Sequence, residues 1–204
     1  MSLPFIVEPP CKEIMRHNRT THIFILRNIL TIEEADTLRN FIENGPRSQE
    51  GKLKIDDGKD WTQNVSATGF NLEQVNDKEQ YNIIKNCLYK ISNYMKDMTG
   101  LEAYYATERC VQLRRIYDAT KIHSDGIVNN PRIPCFENNI RVFSTIIALN
   151  SDYEGGELCF PFQDVEIKLE AGDAIVFPPY RTHLHYTNAL NGSFRYTINT
   201  WLCE

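Results

Sequence analysis

The chain has 204 residues, a formal net charge of -5, 42% hydrophobic and 24% charged residues. That is ordinary globular composition, long enough for one domain with a sizeable core. The mildly acidic balance gives no electrostatic footprint for nucleic acid or an anionic membrane, no apolar stretch approaches a membrane span, and Met1–Glu8 lacks the basic region and apolar run of a signal peptide. Six scattered cysteines (Cys11, Cys87, Cys110, Cys135, Cys159, Cys203) include no Cys-x-x-Cys. Reduced thiols and a cytoplasmic location are therefore expected.

Residues 1–22 are polar, carry Pro4, Pro9 and Pro10, and are expected to form an arm or an edge strand. The apolar run His22–Leu26 predicts a strand. Thr31 and Glu34 have capping-box spacing, and Ile32, Ala35, Leu38 and Phe41/Ile42 follow at helical intervals until Gly45-Pro46. Residues 46–64 are rich in Gly, Asp, Lys, Ser and Gln. Such a long stretch without periodicity is either a solvated loop or a flap over a site. From Asp77 to Thr99, Tyr81, Ile84, Leu88, Ile91, Met95 and Met98 recur at steps of three and four, with Gly100 as the stop. That stripe is core packing.

From residue 101 the pattern changes to short strands, at 104–105, 111–117, 123–125, 140–149, 157–160, 165–169, 174–177 and in the last segments, with turn signals between them. Many short strands argue for a sandwich or jelly roll. The expected fold is α+β, mainly β: a double-stranded β-helix (jelly roll) core with N-terminal helices packed on one sheet. One domain over 1–204 is expected, divided into an arm (1–22), a helical support (23–100) and the jelly-roll core (101–204).

Within the strand-rich half, His123-Ser124-Asp125 places an imidazole and a carboxylate two residues apart, where extended chain turns both to one face. His183-Leu184-His185 follows, and then Arg195. Two imidazoles and one carboxylate with open positions left over suit non-haem Fe(II). A lone His-x-Asp is more often a polar strand end. The distal histidine and its partnered arginine give the pattern weight. His183 and His185 are two apart and would share a strand face, so alternation does not choose between them. Arg195 suggests a carboxylate-bearing cosubstrate, because a planar guanidinium can bond a carboxylate through two parallel hydrogen bonds.

The ordered set His123-x-Asp125, Gly155-Gly156-Glu157-Leu158, Gly172-Asp173-Ala174-Ile175-Val176-Phe177, His185 and Arg195 resembles the Fe(II)/2-oxoglutarate-dependent dioxygenases. The prolyl 4-hydroxylase-like branch is the nearest, and the resemblance covers roughly residues 24–204. It implies His123, Asp125 and His185 as metal ligands, His185 being preferred over His183 because Arg195 lies ten residues on. It implies Arg195 as the partner of the far carboxylate of 2-oxoglutarate. Tyr117, Thr197 and Trp201 are further expected cosubstrate-site residues, and Thr187 would share their inward face. Ala148 stands where several prolyl hydroxylases carry a tyrosine.

The implied cofactors are Fe(II), 2-oxoglutarate and O2, with ascorbate as an accessory. The implied reaction decarboxylates 2-oxoglutarate to succinate and CO2 while hydroxylating an unactivated C–H. A prolyl residue in a peptide or protein is the first substrate expected, and another side chain or a small metabolite the alternative. A cupin-like metal protein using His123, His183 and His185 is the rival outside the oxygenases, and a non-catalytic binding domain is another. Segments 46–64 and 126–139 are expected lids. Asn191-Gly192 could form a two-residue hairpin turn, but that would set His185 and Arg195 on opposite faces. An odd-length loop or a crossing between sheets is therefore expected there.

Overall fold

The computed structural model describes residues 5–6, 21–45, 53–54, 60–61, 67–126 and 140–204. In chain order these form strands β1 (Phe5–Ile6) and β2 (Phe24–Leu26), helix α1 (Ile32–Asn44), strands β3 (Leu53–Lys54), β4 (Asp60–Trp61) and β5 (Ala67–Asn71), and helix α2 (Lys78–Thr99). Then come strands β6 (Tyr104–Tyr105), β7 (Gln112–Ile116), β8 (Thr120–His123), β9 (Arg141–Ala148), β10 (Leu158–Phe160), β11 (Val165–Ile167), β12 (Ala174–Phe177), β13 (His185–Thr187) and β14 (Arg195–Cys203).

Both helices begin where local chemistry starts them. Thr31 accepts from the Glu34 amide at 3.1 Å, and the Glu34 carboxylate accepts from the Thr31 amide at 2.8 Å. These bonds satisfy amides that a helix start leaves without partners. Asp77 caps α2 by accepting from the Glu79 amide. Gly100, at φ 76°, ends it in the left-handed conformation that glycine tolerates best. The stripes miss only at their ends. Ile32 is 60% exposed and Met98 37%, since the first turn of α1 and the last turn of α2 pass beyond the sheet they cover.

That sheet has the order β1-β2-β12-β9-β14-β7-β5, with β6 also paired to β14. A smaller sheet runs β11-β10-β13-β8, and β3 pairs with β4 alone. The two larger sheets are antiparallel and make the jelly roll, mainly β with helices on one sheet, as expected. Alternation divides the large sheet into two faces. Leu26, Ala174, Val176, Ile147, Ile198 and Leu113 point outward and pack with Leu38, Ile84, Leu88 and Ile91 of the helices. Ile25, Ile175, Ala148 and Phe177 point inward and pack with Leu158 and Phe160 of the small sheet. The site occupies the polar remainder of that inner face.

Between β13 and β14 the chain passes from the small sheet to the large one. Asn191-Gly192 is therefore not a two-residue hairpin, and His185 and Arg195 face the same interior. Gly155 secures the crossing. At φ 74°, its backbone approaches the Ala189 carbonyl so closely that a Cβ would lie 2.0 Å from that oxygen. The expected lids at 46–64 and 126–139 lie outside the described residues, apart from β3, β4 and Gly126.

Candidate metal and cosubstrate site

His123 and His185 are directly opposed on β8 and β13, so their side chains share a face at close range. Their ring centroids are 4.3 Å apart. His123 Nδ1 lies 2.7 Å from the Lys121 carbonyl, and His185 Nδ1 lies 3.0 Å from the His183 carbonyl. A carbonyl only accepts, so each Nδ1 carries the proton and each Nε2 keeps a free lone pair.

Asp125 meets them from beyond the strand. The sequence places it on one strand face with His123, but β8 ends at His123, and the carboxylate arrives through the irregular chain that follows. Asp125 Oδ1 is 3.6 Å from His123 Nε2, and Oδ2 is 3.6 Å from His185 Nε2. The three ligand atoms all lie within 4.8 Å of one another. The large sheet fixes the carboxylate from across the interior. Ser144 Oγ donates to Oδ2 at 2.7 Å, and Arg141 Nη1 donates to the Asp125 carbonyl at 2.5 Å. Arg141 in turn lies over the Trp201 ring, 3.8 Å from its centroid.

His185 is the buried member, walled by Phe160 and Phe177, whereas the His123 side chain is 44% exposed. Burial pushes the His185 pKa down, and the Asp125 charge opposes this only in part. The neutral imidazole is the form that ligates a metal. Two free imidazole nitrogens beside one oriented carboxylate make a donor set that fits a divalent cation with open coordination positions.

Arg195 opens β14 further along the same face. It is buried, and Nη1 donates to the Gly156 carbonyl at 2.5 Å. Its Nε is buried without a hydrogen-bond partner. A buried guanidinium with an unused donor is costly unless an anion joins it, and a carboxylate has the matching geometry. Burial pulls the Arg195 pKa down, with Tyr153 and then Glu157 raising it. Tyr153 is itself buried, and its hydroxyl pKa is pushed up.

The other expected residues divide. Thr197 is buried on the Arg195 face and donates to Asn199 Oδ1 at 2.6 Å. Trp201 shares that face opposite Ser144, at the metal end. Thr187 meets Thr120 hydroxyl to hydroxyl at 3.0 Å, tying β13 to β8 where their register shifts. Tyr117 is not drawn into the buried site. It follows the last residue of β7 and is 40% exposed, while Ile116 sits opposite Arg195. His183 also stands apart. Its Nε2 donates to the Thr21 carbonyl at 2.8 Å, and its Nδ1 meets the Thr182 hydroxyl at 3.0 Å. Both nitrogens are engaged, so the cupin-like set with His183 does not assemble.

Four residues join the site without having been singled out in the sequence: Ser144, Arg141, Tyr153 and Arg114. A charged residue opening the apolar run 141–148 was the available signal for Arg141. Arg114 lies on β7 opposite Thr197. Burial and the neighbouring Arg195 push its pKa down, and Asp125 pulls it up.

The 2OG-Fe(II) oxygenase superfamily model matches residues 111–203, from just before β7 to the end of β14. No curated protein matches the chain by sequence. Among solved structures, a viral collagen prolyl hydroxylase from Paramecium bursaria Chlorella virus-1 is similar at TM-score 0.61 and 18% identity, over 89% of this chain and 96% of that one. A Trichoplax adhaerens prolyl hydroxylase in complex with a hypoxia inducible factor peptide fragment gives 0.65 and 16%, over 90% and 84%. A Pseudomonas putida prolyl-4-hydroxylase gives 0.56 and 14%, over 90% and 92%. At these identities the likeness is one of fold. Among the described residues, no helix is long and apolar enough to cross a membrane.

Proposed function

For a chain whose residues 111–203 match the 2OG-Fe(II) oxygenase superfamily, we propose an Fe(II)- and 2-oxoglutarate-dependent dioxygenase that hydroxylates a prolyl residue in a peptide or protein. The observation that carries the oxygenase reading is the convergence of His123, Asp125 and His185 within 4.8 Å, on the interior face that also holds Arg195 with its unpaired Nε. The prolyl substrate rests on the fold neighbours, one of which was solved with a peptide. Cys87, Cys159 and Cys203 are buried free thiols, a state that a reducing, cytoplasmic setting maintains.

In this reading His123 and His185 present Nε2 to the metal, and Asp125 supplies the anionic oxygen. Bound there, Fe(II) would activate O2, and the coupled reaction converts 2-oxoglutarate, O2 and R–H to succinate, CO2 and R–OH. The chain's own part is positioning. Ser144 and Arg141 hold Asp125 in place. Arg195 takes the far carboxylate of 2-oxoglutarate, at a distance from the metal set by β14. Phe160 and Phe177 exclude water behind His185. Thr197 and Trp201 line the cosubstrate path between Arg195 and the metal end.

The test is succinate formation from 2-oxoglutarate with Fe(II), ascorbate and O2, with and without prolyl peptides. Wild type should turn over, His185→Ala and Arg195→Ala should be inactive, and His183→Ala should retain activity at a temperature where it is folded. Wild type that consumes no 2-oxoglutarate under these conditions would remove the oxygenase reading.

A further inference from the structure

The large sheet carries a second arginine on the site face that the reading above leaves unused. Arg114 is paired with Thr197, and Ile116, two residues on, is paired with Arg195. Directly opposed residues of an antiparallel pair share a face. Arg114 therefore stands on the inner face, one pair nearer than Arg195 to the metal end of β14. On its other side the β5 partner is Gly69, so no side chain from that strand covers it. Among the described residues the negative charge that acts on the Arg114 guanidinium is Asp125, and it does so without an ion pair within 4.0 Å. Its neighbour Arg115 points to the outer face, where its Nε lies 3.2 Å from the Glu43 carboxylate without hydrogen-bond geometry and its guanidinium stacks on the Phe194 ring. Arg115 thus has a carboxylate within ion-pair distance, whereas Arg114, on the site face, feels the Asp125 charge only from a distance.

Neither carboxylate of 2-oxoglutarate needs Arg114. Arg195 answers the far one and the metal answers the near one. The double charge of Fe(II), together with Arg114, Arg195 and Arg141, exceeds by one the negative charge of Asp125, Glu157 and the two cosubstrate carboxylates. A half-buried cation left over in such a chamber is costly unless an anion accompanies it. We propose that Arg114 receives a carboxylate of the substrate, so that the molecule hydroxylated carries an anionic group close to its reacting carbon. The inference rests on the oxygenase reading and narrows its substrate class. The carboxylate can be the α-carboxylate of a free or C-terminal residue, or an acidic side chain beside the target residue. A guanidinium serves either with the same two-pronged geometry.

The experiment uses the full chain loaded with Mn(II) and 2-oxoglutarate without turnover, and reads probe binding as paramagnetic broadening of the probe's proline ring signals. One pair of probes is N-acetyl-proline and N-acetyl-prolinamide. The other is a capped Ala-Pro-Asp-Ala peptide and its Ala-Pro-Asn-Ala counterpart. In one pair the carboxylate member should bind about tenfold tighter than its amide, and which pair does so identifies the source. Arg114→Gln should abolish the preference and Arg114→Lys should keep part of it. Equal binding within both pairs, binding of no probe, or a preference that survives Arg114→Gln would overturn the proposal. Loss of 2-oxoglutarate affinity in Arg114→Gln would also overturn it, by making Arg114 a cosubstrate clamp. The wild-type comparison needs no variant to fold. Failure of wild type to bind 2-oxoglutarate at all would instead strike the oxygenase reading beneath it.

Discussion

Asp125 lies two residues beyond the end of β8, and its carboxylate is oriented by a residue of the opposite sheet. Ser144 donates to the oxygen that faces His185, so Ser144→Ala should weaken metal binding about tenfold while leaving the fold intact, as a Mn(II) titration would measure. Arg195 has a donor in reserve. Arg195→Gln should raise the 2-oxoglutarate Kd by about thirtyfold or more, since a charge-assisted pair is lost from a buried place. His183 serves the fold instead. Burial holds its pKa below the ordinary 6.5, against the pull of the Thr21 carbonyl. The unfolded chain takes up this proton near pH 6.5 and the folded chain only lower, so its stability contribution is present above 6.5 and lost as pH falls below it. Denaturation midpoints of the metal-free protein should therefore fall between pH 7.5 and 5.5, and fall less in His183→Gln. An unchanged slope in that variant would assign the loss to other groups.

Elements were legible where their signals are local. The cap at Thr31, the stop at Gly100 and the stripe of α2 depend on residues within a few positions of one another, and all are found. The phase of β7 was not legible. Arg114, Arg115, Ile116 and Tyr117 give no alternation that marks the inner face, and only pairing with β14 shows Ile116 opposite Arg195. Nor could Ser144 be read as a site residue, because β9 is buried on both faces and loses the period of two. Asp173 shows how elements are joined. It is buried, accepts from the Asn28 amide at 3.1 Å and pairs with Arg27, fastening the chain after β2 to the start of β12. Asp173→Ala should cost about 2 to 3 kcal/mol, read as a lower urea midpoint with unchanged slope.

On the scale of the molecule, the site depends on both sheets. The small sheet contributes the two histidines through β8 and β13. The large sheet contributes Arg195, Trp201, Ser144 and Arg141 through β14 and β9. The crossing at Gly155 and residues 188–194 lets one continuous segment carry His185 on one sheet and Arg195 on the other. The family resemblance requires both inside, which left an odd-length loop or a crossing in place of a two-residue hairpin, and the chain makes the crossing. The substrate was not legible from spacing, since the metal and cosubstrate residues are indifferent to what is hydroxylated.

If the triad and Arg195 form one site, metal and 2-oxoglutarate must bind together. The direct measurement is an anaerobic titration of 2-oxoglutarate into the protein with and without Fe(II), repeated with His185→Ala and Arg195→Gln. Tight binding only with metal present, lost in the first variant and weakened in the second, is the predicted result. Binding that is the same without metal, or unaffected by Arg195→Gln, would contradict it.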